Sequence, residues 1–435
     1  MPNKEFVVAE VKEIIKGYFD EQDKLEAASS KYKVPLTSRL YNEDEVAEVV
    51  ETLLSPERLT LNSASSDLKI EKFEEQFSGF IGVKNGIMMN SGSSADLAAF
   101  FVLTNPTIKN RLLPGDEVIV PAVNWNTSIA PLYALGLRPV FVDVDLKNYG
   151  MNIDQVRLAI SPKTKAIMVI HLVGFPVDMD SIMAIAREHN LFVIEDTCES
   201  PGAEWNGKKV GSFGDMSTHS FYLSHHITTI EGGMLMTNND EFAELARIIR
   251  SQGIMRNVKS QAYKDNFNSK YPDIDPLFLF TNVGYNFRPT EMEGAFGIMQ
   301  FRKFGDYLNT RINNAMDLNS RLAKFSEYLI LPVNDDNRVK CSWFFYPLML
   351  KENVKFTVKD VTSFLEKNGI ETRPVMSGDF TRHPVFSLFE HRIVGDLKNT
   401  KLIHKNGFFI GIHAGIGDKE RDCVVSCFEE FFKNK

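Results

Sequence analysis

The chain of 435 residues contains only four cysteines, so a set of structural disulfides is not expected. It has no apolar run near the ~18 residues of a membrane span, and its first residues lack the apolar core of a signal peptide. The net charge of −8 argues against broad binding to nucleic acid or anionic membranes. We therefore expect a cytoplasmic protein with neither nucleic acid nor a membrane as partner.

The cysteines give little indication of a metal centre either. Cys423 and Cys427 are four residues apart in an amphipathic stretch, so a helix would place both thiols on one face. No other ligand-type residues stand with them, which favours two packed thiols over a metal site.

The order of elements predicts an α/β protein with two domains, since the length exceeds one ordinary core. Helical periodicity covers Val7–Tyr18 and Glu43–Leu54 in the first 60 residues. Helical segments then alternate with short β-rich runs, most of them apolar without strict alternation, as in a sheet covered on both faces. The seven predicted strands are Gly86–Asn90, Glu117–Val123, Pro139–Val144, Ala166–Leu172, Leu191–Thr197, Met216–Tyr222 and Met234–Thr237.

Beyond about residue 305 the pattern changes to a smaller α+β arrangement. Tyr307–Phe325 and Val358–Asn368 are predicted helices, Trp343–Leu350 and Glu371–Pro374 are strand-like, and a last helix is expected over Asp418–Phe432. We predict an N-terminal helical extension (1–60), a large domain (61–305) and a small C-terminal domain (306–435).

One candidate anion site follows the first predicted strand. Asn90-Ser91-Gly92-Ser93-Ser94-Ala95 also opens a predicted helix, where small side chains let backbone N–H groups approach an anion and the helix dipole favours its charge. Serine-rich helix caps are common for purely structural reasons, so on these residues alone the structural interpretation is favoured over an anion site.

Two other candidates follow later strands. Asp196 ends an apolar run, at the position where α/β sheets usually bind ligands, and facing a pyridine nitrogen it would keep that nitrogen protonated. Capping a helix is the alternative. Trp125 could stack on a flat cofactor or belong to the core.

In this order and at these separations, the segments from about residue 55 to the C-terminus resemble the DegT/StrS family of sugar aminotransferases. The resemblance implies the aspartate-aminotransferase fold (PLP fold type I), with a seven-stranded, mostly parallel sheet and pyridoxal 5'-phosphate (PLP) as cofactor. It implies the following cofactor-binding residues: Gly92, Ser93, Ser94, Trp125, Asp196, Glu199, Ser220 and Asn286.

The family pattern also assigns roles. The serine-rich loop and Ser220 would bind the phosphate, and Glu199 would lie beside the ring, where a glutamine is common. Gly284-Tyr285-Asn286-Phe287-Arg288-Pro289 resembles a segment that reaches the neighbouring subunit's phosphate, which implies a homodimer with shared active sites. Arg288 and Arg373 are the candidate substrate-binding residues, and a guanidinium suits a carboxylate.

The stretch Ser224-His225-His226-Ile227 narrows the resemblance. Most members of the family have a lysine at the position of His225, which forms a Schiff base with PLP, whereas imidazole cannot. The histidine resembles a subgroup that removes the 3-hydroxyl from GDP- or CDP-linked 4-keto-6-deoxyhexoses. The resemblance therefore implies a dehydratase (lyase) of deoxysugar and O-antigen biosynthesis, with His225 as catalytic base. For His226 a packing role is favoured.

One branch of that subgroup carries a [2Fe–2S] cluster on four cysteines. Cys198 could match one ligand, but Gln252-Gly253-Ile254-Met255-Arg256-Asn257, where the others are expected, has no cysteine. Neither an iron–sulfur cluster nor another metal is expected.

The mechanism that the resemblance implies uses L-glutamate to convert PLP to pyridoxamine 5'-phosphate. The pyridoxamine condenses with the 4-keto group of the nucleotide sugar, His225 moves a proton, and the 3-hydroxyl leaves as water, with ammonia released later. An imidazole with a reference pKa of about 6.5 can both accept and return a proton near neutral pH.

Two alternatives remain on sequence alone. One is a nucleotide-sugar enzyme of aminotransferase type with other PLP chemistry, and the other is an inactive PLP-binding homologue. The sequence does not distinguish GDP, CDP and dTDP as the nucleotide, nor the stereochemistry of the hexose, because those contacts lie in loops, among them the polar run Asn257–Asp275.

Overall fold

A computed structural model describes residues 3–61, 67–332 and 336–433. The chain forms two compact units. The first comprises Met1–Phe19, Tyr41–Leu113 and Gly211–Arg302, and the second comprises Asp20–Leu40, Pro114–Val210 and Lys303–Lys435. The predicted domain boundaries at residues 60 and 305 stay a prediction.

The α-helices of the described chain are α1 (Lys4–Ser29), α2 (Glu43–Leu53), α3 (Lys69–Ile81), α4 (Gly92–Leu103), α5 (Asn126–Ala134), α6 (Ile153–Ala159), α7 (Met179–His189), α8 (Asp240–Arg250), α9 (Gln261–Lys270), α10 (Glu291–Leu322), α11 (Val358–Lys367), α12 (Lys398–Asn406) and α13 (Asp418–Phe432). Among them, none combines the length and the apolar character that a membrane crossing requires.

The β-strands are β1 (Asn85–Met89), β2 (Glu117–Pro121), β3 (Arg138–Val142), β4 (Thr164–Ile170), β5 (Phe192–Asp196), β6 (Glu204–Trp205), β7 (Lys208–Lys209), β8 (Met216–Ser220), β9 (Gly233–Thr237), β10 (Leu329–Ile330), β11 (Val339–Lys340), β12 (Tyr346–Leu350), β13 (Thr372–Pro374), β14 (Arg392–Ile393) and β15 (Gly407–Ile410).

The first unit contains three strands that pair in the order β1-β9-β8, with β9 antiparallel to both neighbours. Met89 and Ser220 both pair with Gly233, so the ends of β1 and β8 lie in one row at one edge. Beneath this edge, Phe73 and Phe77 of α3 pack edge-on against Phe221. The packing fixes the start of the loop that follows β8.

The second unit contains five strands that pair in the order β5-β4-β2-β3-β14, all parallel. Helical crossovers bring their carboxyl ends to one edge, where α/β sheets usually bind ligands. The same unit holds a separate antiparallel sheet, β10-β12-β15-β13, from the C-terminal part of the chain. The expected α+β character of that part is confirmed.

The predicted strand number needs a correction. All seven predicted strands are present, but a further strand that was not predicted, the two-residue β14, pairs with β3. Arg392 of β14 donates from Nη2 to the buried Glu117 at 2.7 Å, which attaches the strand to the sheet. Two residues are too few for a periodic signal in the sequence.

Two helices also differ from the prediction. The helix that was expected to begin at Tyr307 begins at Glu291. Glycines between these two residues lower the helix propensity, so the sequence did not indicate the early start, but close packing requires them. A Cβ on Gly294 would lie 2.5 Å from the Ile70 nitrogen, and one on Gly297 would lie 2.9 Å from the Phe73 ring. The run Asn257–Asp275, interpreted as a loop, contains α9, on which Tyr263 and Phe267 pack against a buried cluster.

Candidate active site

In the first unit the phosphate-loop candidate is a capped helix N-terminus. Ser91 lies in extended conformation before α4, and its Oγ accepts a hydrogen bond from the Ser94 N–H at 3.1 Å. The Ser94 hydroxyl in turn donates to Asn90 Oδ1 at 2.7 Å. Gly92 is buried and Ser93 is exposed. Both interpretations of the segment therefore hold, since it is a helix cap and still presents an N-terminus to an anion.

Gly233 allows this loop to lie against the sheet. A Cβ at that position would be 2.3 Å from the Ser91 carbonyl carbon and 2.4 Å from the Gly92 nitrogen. Any side chain on Gly233 would therefore displace the loop. The sequence analysis assigned no role to Gly233, so this contribution to the site was missed.

His225 lies on the loop between β8 and β9, at the same edge as Ser220. Its N–H donates to the Tyr222 carbonyl at 2.9 Å, and the two rings meet edge-on with centroids 6.1 Å apart. His225 is half-buried, whereas His226 is fully buried, as a packing residue would be. The Ser220 hydroxyl accepts the Tyr222 N–H at 3.3 Å.

The segment with Asn286 and Arg288 lies beside the phosphate loop of the same chain. The Phe287 carbonyl accepts the Asn90 N–H at 2.9 Å. Asn286 is exposed, and Arg288 donates from Nη1 to Gln252 Oε1 at 3.2 Å. Burial, together with the nearby positive charges of Arg250 and Arg256, lowers the pKa of Arg288. A carboxylate or phosphate would relieve that repulsion.

In the second unit Asp196 is buried and well connected. Its Oδ2 accepts the Ser128 hydroxyl at 2.6 Å, and its Oδ1 accepts the Cys198 N–H at 3.0 Å. Ser128 lies in the first turn of α5, three residues after Trp125, whose indole is 56% exposed. No sequence signal links Ser128 to a residue 68 positions away, so this partner was missed. Trp125 and Asp196 follow parallel strands and share one sheet edge.

Glu199 is a buried carboxyl whose charge state is set by its surroundings. Its pKa is raised to about 8, chiefly by burial and to a smaller extent by the charge of Asp196, although the Val173 N–H, 2.7 Å from Oε2, opposes the shift. Glu199 is therefore mostly protonated at neutral pH and can donate a hydrogen bond. A protonated carboxyl resembles the glutamine common at this position of the family.

Arg373 lies on β13 of the small sheet. Its guanidinium donates from Nη2 to Glu371 Oε1 at 2.7 Å and from Nη1 to the Thr372 carbonyl at 2.7 Å. The side chain remains about half exposed, so part of its donor set still faces solvent. Its substrate role stays a prediction.

These features are those of a PLP enzyme. The matching family model is the DegT/DnrJ/EryC1/StrS aminotransferase family, which covers residues 42–429, and the chain belongs to this family. The fold is the PLP aminotransferase-like α/β fold.

Two curated relatives and one solved structure show which members of the family this chain is similar to. The chain is 36% identical to GDP-4-keto-6-deoxy-D-mannose 3-dehydratase of Yersinia pseudotuberculosis, over 87% of this chain and 94% of the relative. It is 35% identical to dTDP-4-dehydro-2,6-dideoxy-D-glucose 3-dehydratase of Saccharopolyspora spinosa, over 86% and 84% respectively. A crystal structure of a GDP-4-keto-6-deoxymannose-3-dehydratase with a trapped PLP–glutamate geminal diamine superposes with TM-score 0.81 at 32% identity, covering 91% of this chain and all of that one.

Proposed function

We propose that this protein is a PLP-dependent 3-dehydratase that removes the 3-hydroxyl of a nucleotide-linked 4-keto-6-deoxyhexose, with L-glutamate as amino donor. The observation that carries the proposal is His225, which stands where most members of the family have a lysine. The other residues that the family pattern assigns to cofactor binding are present in this chain. The similarity to curated 3-dehydratases supports it.

The residues present fit the cofactor. Gly233 leaves room for the phosphate loop, and the N-terminus of α4, with Ser93, Ser94 and Ser220, would hold the phosphate. The exposed indole of Trp125 would stack on the pyridine ring. Asp196, whose oxygens accept hydrogen bonds from Ser128 and the Cys198 N–H, would accept a hydrogen bond from the ring nitrogen and keep that nitrogen protonated. When bound, PLP supplies the electron sink, and its pyridoxamine form supplies the amine.

His225 moves the proton. Since imidazole titrates near neutral pH, it accepts a proton at one ring nitrogen and returns it to the departing 3-hydroxyl, which leaves as water. Because no lysine occupies this position, the cofactor is held by non-covalent contacts. Glutamate is oxidised to 2-oxoglutarate while the hexose loses one oxygen, and ammonia is released, so that atoms and electrons balance.

Glu199 and the two arginines complete the proposed site. A neutral Glu199 offers a hydroxyl donor beside the ring without adding a second negative charge to Asp196. Arg288 would bind the glutamate carboxylate, which suits a half-buried guanidinium, and Arg373 would contact the nucleotide sugar.

We also propose that the protein is a homodimer. In the first unit, the segment just before Asn286 exposes large apolar side chains, and such a patch is typical of a protein interface. The exposed residues are Leu277, Phe278, Phe280, Val283 and Tyr285. Light scattering coupled to size-exclusion chromatography tests this directly. A cytoplasmic location stays a prediction.

The function is tested by incubating the purified protein with PLP, L-glutamate and a panel of GDP-, CDP- and dTDP-linked 4-keto-6-deoxyhexoses. We expect ammonia and 2-oxoglutarate in equal amounts with at least one sugar. A stable amino sugar without ammonia would instead indicate an aminotransferase. No turnover of any sugar, together with retained PLP binding, would indicate an inactive homologue.

A further inference from the structure

The loop that carries His225 is closed at its base by several hydrogen bonds. Phe221 donates its N–H to the Gly232 carbonyl at 2.9 Å, and its own carbonyl accepts both the Thr229 N–H at 2.9 Å and the Thr228 hydroxyl at 3.0 Å. The Thr228 hydroxyl also accepts the Ile230 N–H at 2.8 Å. Thr228 is therefore the residue where the loop returns to the sheet, three positions after His225.

A buried relay connects Thr228 to helix α2. The Thr228 N–H donates to Gln300 Oε1 at 3.3 Å, and Gln300 Nε2 donates to Glu45 Oε1 at 2.7 Å. The second carboxylate oxygen of Glu45 accepts the Asn42 N–H at 2.9 Å as part of the α2 capping box. Gln300 on α10 and Glu45 on α2 have no exposed surface.

We propose that Glu45 and Gln300 are positioning residues for His225, which set the path of the catalytic loop through the Thr228 N–H. The expected effect on kcat rests on the proposed function, whereas the hydrogen bonds between Glu45, Gln300 and Thr228 do not depend on it. Neither side chain is assigned a part in binding the cofactor or moving the proton.

The relay has a fixed direction, which makes the proposal specific. A backbone N–H can only donate, so Gln300 must turn its oxygen to Thr228 and its NH₂ group to Glu45. Because Glu45 also receives the Asn42 N–H, both of its oxygens accept. An amide at position 45 would lack one acceptor, and one contact would be lost whichever way Gln300 turned. A carboxylate at position 300 would face Glu45 with like charge.

The test uses three disruptive variants and one compensating variant. Gln300→Leu removes the relay, Gln300→Glu opposes two carboxylates, and Glu45→Gln loses one acceptor. In the double variant E45Q/Q300E, the new carboxylate at position 300 accepts from both the Thr228 N–H and the new amide at position 45. The oxygen of that amide accepts from Asn42, so all three hydrogen bonds are restored, with the one between the two side chains intact. Thr52→Val, a buried change on α2 away from the loop, is the matched control.

We expect the three disruptive variants to lower kcat about 10-fold or more, because a small misplacement of a catalytic group is costly. KM for the sugar and the affinity for PLP should change little, and the double variant should recover most of the rate. Hydrogen exchange of the peptide 221–232 should rise in the same three variants and fall back in the double variant. Thr52→Val should change neither quantity.

The inference is overturned if the single variants keep the wild-type kcat and exchange, or if the double variant is no better than the worse of its parents. If the wild type turns over no sugar, the proposed function fails on its own, and the exchange pattern still decides whether the relay holds the loop.

Discussion

In the first unit, the candidate residues lie at a helix N-terminus, at the end of β8 and on loops, and backbone N–H groups take part in many of their hydrogen bonds. In the second unit, Asp196 and Glu199 are buried carboxyls whose oxygens already accept hydrogen bonds. The first arrangement suits groups that receive an anion or move a proton. The second suits a group such as Glu199, whose protonation state is set in advance by burial and a neighbouring charge.

The largest expected effect is at His225. His225→Asn removes the titrating group and should lower turnover about 10³-fold, a typical contribution of a general acid–base, while PLP binding is retained. Steady-state ammonia release and equilibrium dialysis of PLP measure the two quantities. His225→Lys is the matched variant, and borohydride should trap PLP on it but not on the wild type. Trapping on the wild type would mean that another lysine binds the cofactor.

Asp196→Asn should have the next largest effect. An amide cannot keep the ring nitrogen protonated, so turnover should fall on the order of 10²-fold, with a changed absorbance of the bound PLP. Ser128→Ala removes one hydrogen bond to the same carboxylate and should cost less than about 10-fold. Equal losses in the two variants would indicate that Asp196 acts through local packing instead.

Gly233→Val tests the phosphate loop of the first unit without changing a charged residue. The added side chain would collide with Ser91 and Gly92, so the affinity for PLP should fall about 10-fold or more, because the phosphate contacts are misplaced. Gly79→Ala on α3 is the control, since its Cβ would have no neighbour within 4 Å. Unchanged PLP affinity in Gly233→Val would argue against the phosphate loop.

The smallest effect on activity is expected for Glu199→Gln, because a neutral carboxyl and an amide offer similar donors. Stability should change with pH. The folded pKa of about 8 lies above the unfolded value near 4.5, so the folded state binds more protons between them and the wild type loses stability as pH rises through this window.

Glu199→Gln removes that loss. Above pH 8 it should be more stable than the wild type, by roughly 5 kcal/mol, and the difference should vanish towards pH 4. Urea unfolding at several pH values measures it. A difference that does not depend on pH would show that Glu199 is ionised at neutral pH.

The sequence predicted the elements with a strong local signal. The apolar patterns predicted buried strands such as Glu117–Pro121 and the helix Asp418–Phe432. The family, with its cofactor, was indicated by the resemblance at Asn90–Ser94, Trp125, Asp196 and His225. The two-residue strand β14 and the early start of α10 were missed, since pairing and close helix packing have no local signature.

The same limit applies to the site. Residue type and spacing identified Asp196 and Glu199 as candidates, but not Ser128, which is distant in the chain, nor the charge state of Glu199, which depends on burial. Gln300 and Glu45 also contact the loop only through the fold.

Mass spectrometry of the sugar product, with wild type and His225→Asn compared under the same conditions, tests the central claim most directly. We expect the wild type to release a product lighter than its substrate by one oxygen atom, and His225→Asn to release almost none. The account would be contradicted by a wild-type product that retains the 3-hydroxyl and carries an amino group. It would also be contradicted if His225→Asn gave as much deoxygenated product as the wild type.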